Sequence, residues 1–233
     1  MHHIAFNFQG SAVLAVLAFL GTAGLLGAGL LAAVVSLARG HRDLARRIGI
    51  GMAAALLVYG AALMVFSLAS QEVVLAPHDE KYFCEIDCHL AYSVTAVQHT
   101  RTLGPPDRPV AARGEFCLVT LQTRFDELTI SPRRGREAPL WPNPRYLRIE
   151  DEQGRRFGPS PGGQAALDAT LPDQAPLTLP LRPGESYTTT LAFDLPLDAE
   201  RPRLLLGESI WPAHLLIGHE QSFLHKKTFF ALL

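Results

Sequence analysis

Two long stretches without charge dominate the first third of the chain. Residues 1–38 contain no Asp, Glu, Lys or Arg, and neither does the range 48–71. At about 1.5 Å per residue, residues 11–38 and 48–70 would form helices of about 42 and 34 Å. Each is longer than the roughly 30 Å hydrocarbon core of a bilayer. We therefore expect residues 1–71 to form a hairpin of two transmembrane helices.

The loop between these segments indicates how the hairpin is oriented. It covers residues 39–47 and carries four Arg against one Asp. Because Arg-rich loops stay in the cytoplasm, both ends of the hairpin should face outward. A cleaved signal peptide is the alternative for the first segment. However, no basic residue precedes that segment, and its apolar run exceeds the roughly 7 to 15 residues of a signal sequence.

Small residues are concentrated in the first apolar segment. Gly24, Gly27, Ala28 and Gly29 belong to pairs of small residues spaced four apart, which let helix backbones approach closely in lipid. We expect them to pack inside the hairpin, and docking onto another membrane subunit is the alternative. The matching small residues of the second segment are Gly49, Ala53 and Gly60.

The remaining residues, 72–233, have a different composition. They carry 17 basic and 21 acidic side chains, so they offer no positive surface for DNA or RNA. The expected partners are the lipid bilayer and a membrane protein complex, with no nucleic acid. Residues 72–80, which include Pro77, read as a linker, and residues 81–233 as one domain outside the cytoplasm.

That domain begins with an alternation of apolar and polar residues from Tyr82 to Ala96. A period of two over this length predicts one half-buried strand, or two strands in line across a bulge. Further strands are predicted at Cys117 to Phe125, Leu147 to Ile149 with a return at Phe157, Leu177 to Leu181, Tyr187 to Leu195, Arg203 to Leu206, Leu215 to Ile217, and Thr228 to Leu232. Short strands separated by Pro and Gly turns indicate an antiparallel β-sandwich, and no helix is expected after residue 72.

Three motifs in this order resemble a known family. They are Asp-x-x-Gly-Arg-Arg-Phe at 151–157, Leu-Arg-Pro-Gly-Glu-Ser at 181–186 and Leu-Ala-Phe-Asp-Leu-Pro at 191–196. Together they resemble the telokin-like, immunoglobulin-fold domain of bacterial membrane proteins and lipoproteins, over about residues 90–233. The resemblance implies an immunoglobulin-like sandwich facing the periplasm of a bacterium, anchored in the inner membrane, with no catalytic residues.

Cys84, Cys88 and His89 form the sharpest chemical feature. Read as Cys-x-x-x-Cys-His, they resemble a variant of the c-type haem attachment motif. On one continuous strand, however, the two Cys backbones would lie about 13 Å apart, too far for a shared haem or a disulfide. Haem c is therefore the alternative, and buried, apolar cysteines are the leading interpretation.

Copper is a second alternative for the same cysteines. Two helices followed by a sandwich with Cys-x3-Cys resemble subunit II of haem-copper oxidases. That family's copper site would require a His and a Met where this chain has Tyr92 and Thr95. No Met follows Met64, which also excludes a blue-copper site with a Met axial ligand. We expect no cofactor and no metal.

The third cysteine, Cys117, could form a disulfide. An odd number of cysteines allows one bridge and one free thiol. The interpretation as buried cysteines allows a bridge from Cys117 to either Cys84 or Cys88 on a neighbouring strand, which would stabilise the domain by roughly 3 kcal/mol.

Near the C-terminus, His219, Glu220 and His225 lie in a polar segment. A zinc protease motif needs a second His where this chain has Phe223, so that chemistry is excluded. A polar loop is the simplest interpretation, and a loop that contacts a partner is the alternative. Because no catalytic constellation is found, the sequence favours an anchored accessory or binding protein, with an electron-transfer subunit as the alternative.

Overall fold

The computed structural model describes residues 9–84, 89–208 and 211–232, with the side chains of the first helix described from Val13 onward. The chain divides into two compact units. One comprises Met1–Glu72 and Ile210–Lys227, and the other comprises Val73–Ser209 and Thr228–Leu233. Residues 210–227, which we expected in the outer domain, group with the helices and not with the strands that flank them.

The helical unit contains the two predicted helices, α1 (Gln9–Ala38) and α2 (Arg42–Leu68). Both have a mean hydropathy of 2.2 over their apolar windows and are long enough to cross a membrane. The helix α2 begins six residues before its expected start. Arg is a good helix former, so the charged residues that we assigned to a loop instead form the first turns of the helix.

The two helices pack through a narrow face. On α1, partly buried or buried residues recur every three or four positions, at Ala15, Phe19, Thr22, Leu26, Gly29, Ala33 and Ser36. A Cβ atom added to Gly29 would lie 3.0 Å from Met52 Cγ and 3.8 Å from Ile48 Cγ2 of α2. The other faces of both helices are exposed and apolar, as at Leu31 and Leu57, which are 69% and 74% exposed.

The second unit is a β-sandwich of two sheets. One sheet has the order β1-β9-β8-β5-β6 and the other the order β2-β3-β4-β7. The pairings are antiparallel except for β1 with β9. The strands are β1 (Val73–Leu75), β2 (Lys81–Cys84), β3 (His89–Leu103), β4 (Val110–Asp126), β5 (Arg145–Glu150), β6 (Arg156–Phe157), β7 (Ser186–Leu195), β8 (Arg203–Glu208) and β9 (Thr228–Ala231).

The expected continuous strand from residue 82 to 96 is wrong. The strands β2 and β3 pair with each other, with Cys84 opposite His89, so the chain reverses between these two residues. The alternation changes phase between these strands, because Phe83 of β2 is buried in the core opposite Leu90, whereas Tyr82, which was expected on the core face, is 43% exposed. Cys84 is exposed as well, so the expectation of a buried, apolar cysteine is wrong at this position. A bulge does occur within β3, between Val94 and Ala96, and it moves the core-facing positions from Val94 to Val97.

The core lies between the sheets and is built as the alternation predicts. Cys117, Val119, Leu121 and Phe125 of β4 are fully buried in it. Strands predicted at β5, β6, β7, β8 and β9 are confirmed. Two other predicted strands are wrong: Leu181 forms a single bridge with Leu140, and Leu215 ends a 3-10 helix. The expected linker contains the short strand β1.

A helix that we did not expect, α3 (Pro161–Thr170), covers the outer face of the second sheet. Ser160 caps it by accepting a hydrogen bond from Gly163 N (3.2 Å), and Pro161 occupies the first turn. Leu167 packs with Phe116 of β4 in a small second core. A Cβ atom at Gly163 would lie 2.7 Å from the Phe116 ring, so this close approach requires glycine.

Two buried cations link the sheets at one end of the sandwich. Lys81 Nζ, on β2, donates hydrogen bonds to Leu206 O (2.8 Å) and Thr228 O (3.2 Å) in the opposite sheet. Arg145, on β5, donates to Glu208 Oε1 (2.9 Å) on the neighbouring strand of its own sheet and reaches the other sheet through the Phe83 ring. Both cations lie over the ring of Phe83. These contacts lie inside the sandwich, so we assign the two cations a stabilising role and no chemical function.

Candidate functional site

The predicted helix-packing residues separate onto two faces of α1. Gly29 faces α2, as expected. A Cβ atom added to Gly24 or Gly27 would meet nothing within 4 Å, and Ala28 is exposed. Gly24 lies opposite the packed face, so most of the small residues are not used by the hairpin. We call Gly21, Gly24, Gly27 and Ala28 the outer glycine face.

Residues 211–227, called here the 211–227 segment, fold back on themselves. The segment opens with a 3-10 helix, Trp211–Leu215, and Gly218 then adopts a positive φ of 74° that reverses the chain. The ring of His214 stacks on Phe223 with 5.6 Å between centroids. Its Nδ1 lies 2.6 Å from Gln221 O, where it acts as the donor. The two halves of the segment are thereby joined.

Two hydrogen bonds connect this segment to α2. The Tyr59 hydroxyl donates to Leu215 O (2.6 Å), and Lys226 N donates to the Ser70 hydroxyl just after the helix (2.8 Å). Ile217 and residues of both helices line a shallow groove of about 450 Å³. The lining residues are Thr22, Ala54, Ala55, Val58, Tyr59, Ala62 and Ile217.

The predicted partner loop at His219, Glu220 and His225 lies inside this segment. His219 Nδ1 accepts a hydrogen bond from Gln221 N (3.0 Å), and burial lowers the pKa of His219 against the opposing charge of Glu220. The imidazole is therefore neutral near pH 7. Glu220 O accepts from Lys227 Nζ, and His225 Nδ1 lies 2.6 Å from Lys226 O. These residues bond to the segment's own backbone.

The sequence alone did not single out Tyr59, Ser70, Leu215 and Ile217 as a connected group. One signal was present, because residues 209–218 form an uncharged, mostly apolar stretch between two strands. A loop of a sandwich ordinarily lies in water and is polar. An apolar loop of this length is typical of a segment that packs against something other than the sandwich.

The antiparallel pairing of β2 with β3 places Cys84 directly opposite His89. As register partners, they have Cα atoms about 4.5–5.5 Å apart. His89 Nδ1 is buried and has no hydrogen-bond partner in the described part of the chain, and burial lowers the His89 pKa although Asp126 raises it. Cys88, the remaining member of the predicted cluster, lies outside the described residues.

Cys117 cannot reach Cys84. Along β3, Cys117 pairs with His99 and Cys84 pairs with His89, ten residues or roughly 33 Å away. A disulfide requires Cα atoms within about 7 Å, so the predicted bridge between these two is wrong. Cys117 is a free thiol, and burial raises its pKa to about 12.

No metal centre is apparent in the parts of the chain that the structure describes. Among those residues, no three His, Cys, Asp or Glu side chains are arranged to hold an ion. The structural features that stand out are therefore surfaces of the helical unit: the outer glycine face and the 211–227 segment.

No protein family matches this sequence, and no curated protein matches it. Three solved bacterial structures show a limited likeness. A secreted protein of Mycobacterium tuberculosis, MPT63, is 11% identical, with 71% of this chain and 99% of that chain covered and a TM-score of 0.42. A conserved hypothetical protein of Bacillus anthracis is 14% identical (54% and 86% covered, TM-score 0.39), and the yjhA protein of Bacillus subtilis is 10% identical (69% and 100%, 0.37).

Proposed function

We propose that this chain is an accessory or binding protein anchored in the bacterial inner membrane. Its two helices span the bilayer, and its sandwich, an immunoglobulin-like domain of the telokin-like family, presents its loops to a partner in the periplasm. The anchor is supported by large apolar side chains on nearly every face of both helices, since such surfaces are stable in lipid. The orientation rests on the Arg residues between the helices.

The outer glycine face carries the proposal that the anchor docks onto another membrane helix. In lipid, helices associate where small residues let their backbones approach closely. The hairpin uses the opposite side of α1, where Gly29 contacts Met52. Gly24 is therefore free to receive the helix of a partner subunit or of a second copy.

The substitution Gly24→Ile tests this docking. Because a Cβ at this position meets nothing, the hairpin should tolerate the larger side chain, while a partner helix would be held away. We expect this variant to lose in-membrane crosslinking to the partner helix, and to lose co-purification with that partner in mild detergent. Ala23→Ile is the matched control, since Ala23 is exposed at the same depth but lies about 100° around the helix.

Equal crosslinking by the wild type and both variants would contradict the docking proposal. Loss in both variants would indicate general damage to α1 and would contradict it as well. Gly29→Ile serves as a third comparison, because that side chain would collide with Met52 and open the hairpin itself.

The antiparallel pairing of β2 with β3 supports the electron-transfer alternative. Cys84 and His89 lie opposite each other, and His89 is held neutral, the form in which an imidazole binds a metal. A visible spectrum and metal analysis of the detergent-purified protein test this alternative. A Soret band or stoichiometric copper that is lost in Cys84→Ser would favour it over the accessory role, and a colourless, metal-free protein would remove it.

A further inference from the structure

The 211–227 segment contacts α2 at two heights that are far apart. One contact is the hydrogen bond from Tyr59 to Leu215 O, and the other joins Lys226 N to Ser70. Tyr59 and Ser70 are eleven residues apart, which corresponds to about 16 Å along a helix. The segment therefore runs a long way down the side of α2 and back.

The lower contact lies near the middle of the apolar part of α2. Tyr59 is twelve residues, or about 18 Å, from Arg47, the last charged residue at the other end of the helix. The hydrocarbon core of a bilayer is about 30 Å thick, so a spanning α2 places Tyr59 close to the bilayer centre. Ile217 lines the same groove as Ala54, Ala55 and Val58. These three residues lie at the depth of Tyr59 or deeper in the bilayer.

The charged residues of the segment are confined to the part that lies near the end of α2. Residues 211–218 contain no Asp, Glu, Lys or Arg, and His214 is the one ionisable side chain among them. The charged residues Glu220, Lys226 and Lys227 all follow the turn at Gly218. Lys226, at the upper contact, is held level with the end of α2, where charged side chains reach water.

Backbone that is not helical is costly in lipid unless its polar groups are satisfied internally. Here Leu216 N donates to Ala213 O (3.3 Å), His219 N to Leu216 O (3.2 Å), and Phe223 N to His214 O (3.3 Å). The hydroxyl of Ser222, which is 2% exposed, donates to Leu216 O. These bonds satisfy part of the segment's backbone internally, as insertion into lipid requires.

We propose that Trp211–Ile217 is a third membrane-embedded element, a re-entrant turn that enters the outer half of the bilayer beside α2 and contacts lipid through Trp211. The inference rests on the proposed function, because it requires α2 to span the membrane. It goes beyond that function, because it proposes that the connection between β8 and β9 contacts lipid. The anchor then has three inserted elements, and only two of them cross the bilayer.

Trp211 provides a built-in probe for this proposal. The chain has two tryptophans, Trp211 and Trp141, and they are 68% and 69% exposed. Trp141 belongs to the sandwich unit. The variants Trp141→Phe and Trp211→Phe thus each leave one reporter of equal exposure, in the full-length protein reconstituted into phosphatidylcholine and phosphatidylglycerol vesicles.

Lipids that carry nitroxides on their acyl chains should quench Trp211, and the apolar surroundings should place its emission at a shorter wavelength than that of Trp141. These lipids should not quench the fluorescence of Trp141. Acrylamide in the aqueous phase should quench Trp141 and should not quench Trp211. A Leu57→Trp variant without the two native tryptophans reports on the anchor, because Leu57 is 74% exposed and lies two residues from Tyr59.

The three reporters separate the two proposals. Lipid quenching of both the L57W reporter and Trp211 supports the re-entrant turn. Lipid quenching of the L57W reporter alone, with Trp211 open to acrylamide, overturns the re-entrant turn and leaves the anchor intact. If acyl-chain nitroxides quench neither reporter, α2 does not span the bilayer and both proposals fail.

Discussion

The helical unit and the sandwich bury their side chains in opposite ways. In the hairpin, the helices meet along a narrow face that includes Gly29, and large side chains such as Leu57 point outward. In the sandwich, large apolar side chains such as Leu204 and Phe193 are completely buried. One arrangement is stable in lipid and the other in water. The same residue type should therefore have different effects in the two units.

The largest expected difference is between two Leu→Ala substitutions. Leu204, on β8, is 0% exposed, and its truncation leaves a cavity in the core. We expect Leu204→Ala to lower the free energy of unfolding of the sandwich by about 2–5 kcal/mol. Leu57→Ala removes an exposed side chain from α2 and should leave that value unchanged. Denaturant unfolding in detergent, followed by the β-sheet circular dichroism, measures both.

A pair of neighbouring glycines gives a smaller effect within the sandwich unit. In Gly163→Ala the new methyl group would meet the Phe116 ring, and overpacking of this kind costs about 1–3 kcal/mol. Gly162→Ala is the control, because a Cβ there meets nothing within 4 Å and alanine favours a helix. The unfolding midpoint should fall for the first variant and rise slightly for the second. Equal midpoints would mean that α3 is not docked on β4.

The smallest expected effect depends on pH. Arg124 donates two hydrogen bonds to Glu80, from Nε and Nη2 at 2.8 Å each, and this pairing lowers the Glu80 pKa although burial opposes it. Glu80 therefore stabilises the sandwich above its unfolded pKa of about 4.3, by about 1 kcal/mol or less because the pair is partly exposed. That contribution is lost as the pH falls through the lowered pKa.

The variant Glu80→Gln should match the wild type in stability at the acid end of the titration and be slightly less stable at pH 7. Asp107→Asn is the control, because Asp107 is mostly exposed and pairs with its neighbour Arg108. A difference between the wild type and Glu80→Gln that stayed constant from pH 7 to pH 3 would contradict the role assigned to the carboxylate.

The two units also differed in what the sequence could predict. Both long helices followed from hydropathy, because a run without charge leaves the backbone few alternatives in lipid. The sandwich followed from alternation, which identified the core residues of β4 and β7. Alternation failed at Cys84 and His89, because these residues are register partners, so the core face has an odd-numbered residue on β2 (Phe83) and even-numbered residues at the start of β3 (Leu90). A single alternation read across both strands therefore assigns β2 to the wrong face.

Two elements were missed for other physical reasons. The helix α3 is only ten residues long and contains Gly162 and Gly163, so its propensity is weak and its position depends on packing against Phe116. The 211–227 segment was assigned to the sandwich because strands flank it in sequence. Its bonds to Tyr59 and Ser70 join residues more than 150 positions apart, which no local pattern reveals.

The orientation of the anchor is tested most directly with two single-cysteine labels. His41→Cys lies between the helices, and Leu128→Cys lies in the sandwich at a side chain that is 90% exposed. Both are made with Cys84 and Cys88 replaced by serine. Cys117 remains, because its buried thiol, with a pKa of about 12, is unreactive in the folded protein.

A maleimide that cannot cross membranes is then added to intact spheroplasts. The proposed topology predicts labelling of Leu128→Cys at once and of His41→Cys only after the cells are lysed. Labelling of His41→Cys from outside, or protection of Leu128→Cys until lysis, would contradict an anchor that holds the sandwich outside the cytoplasm.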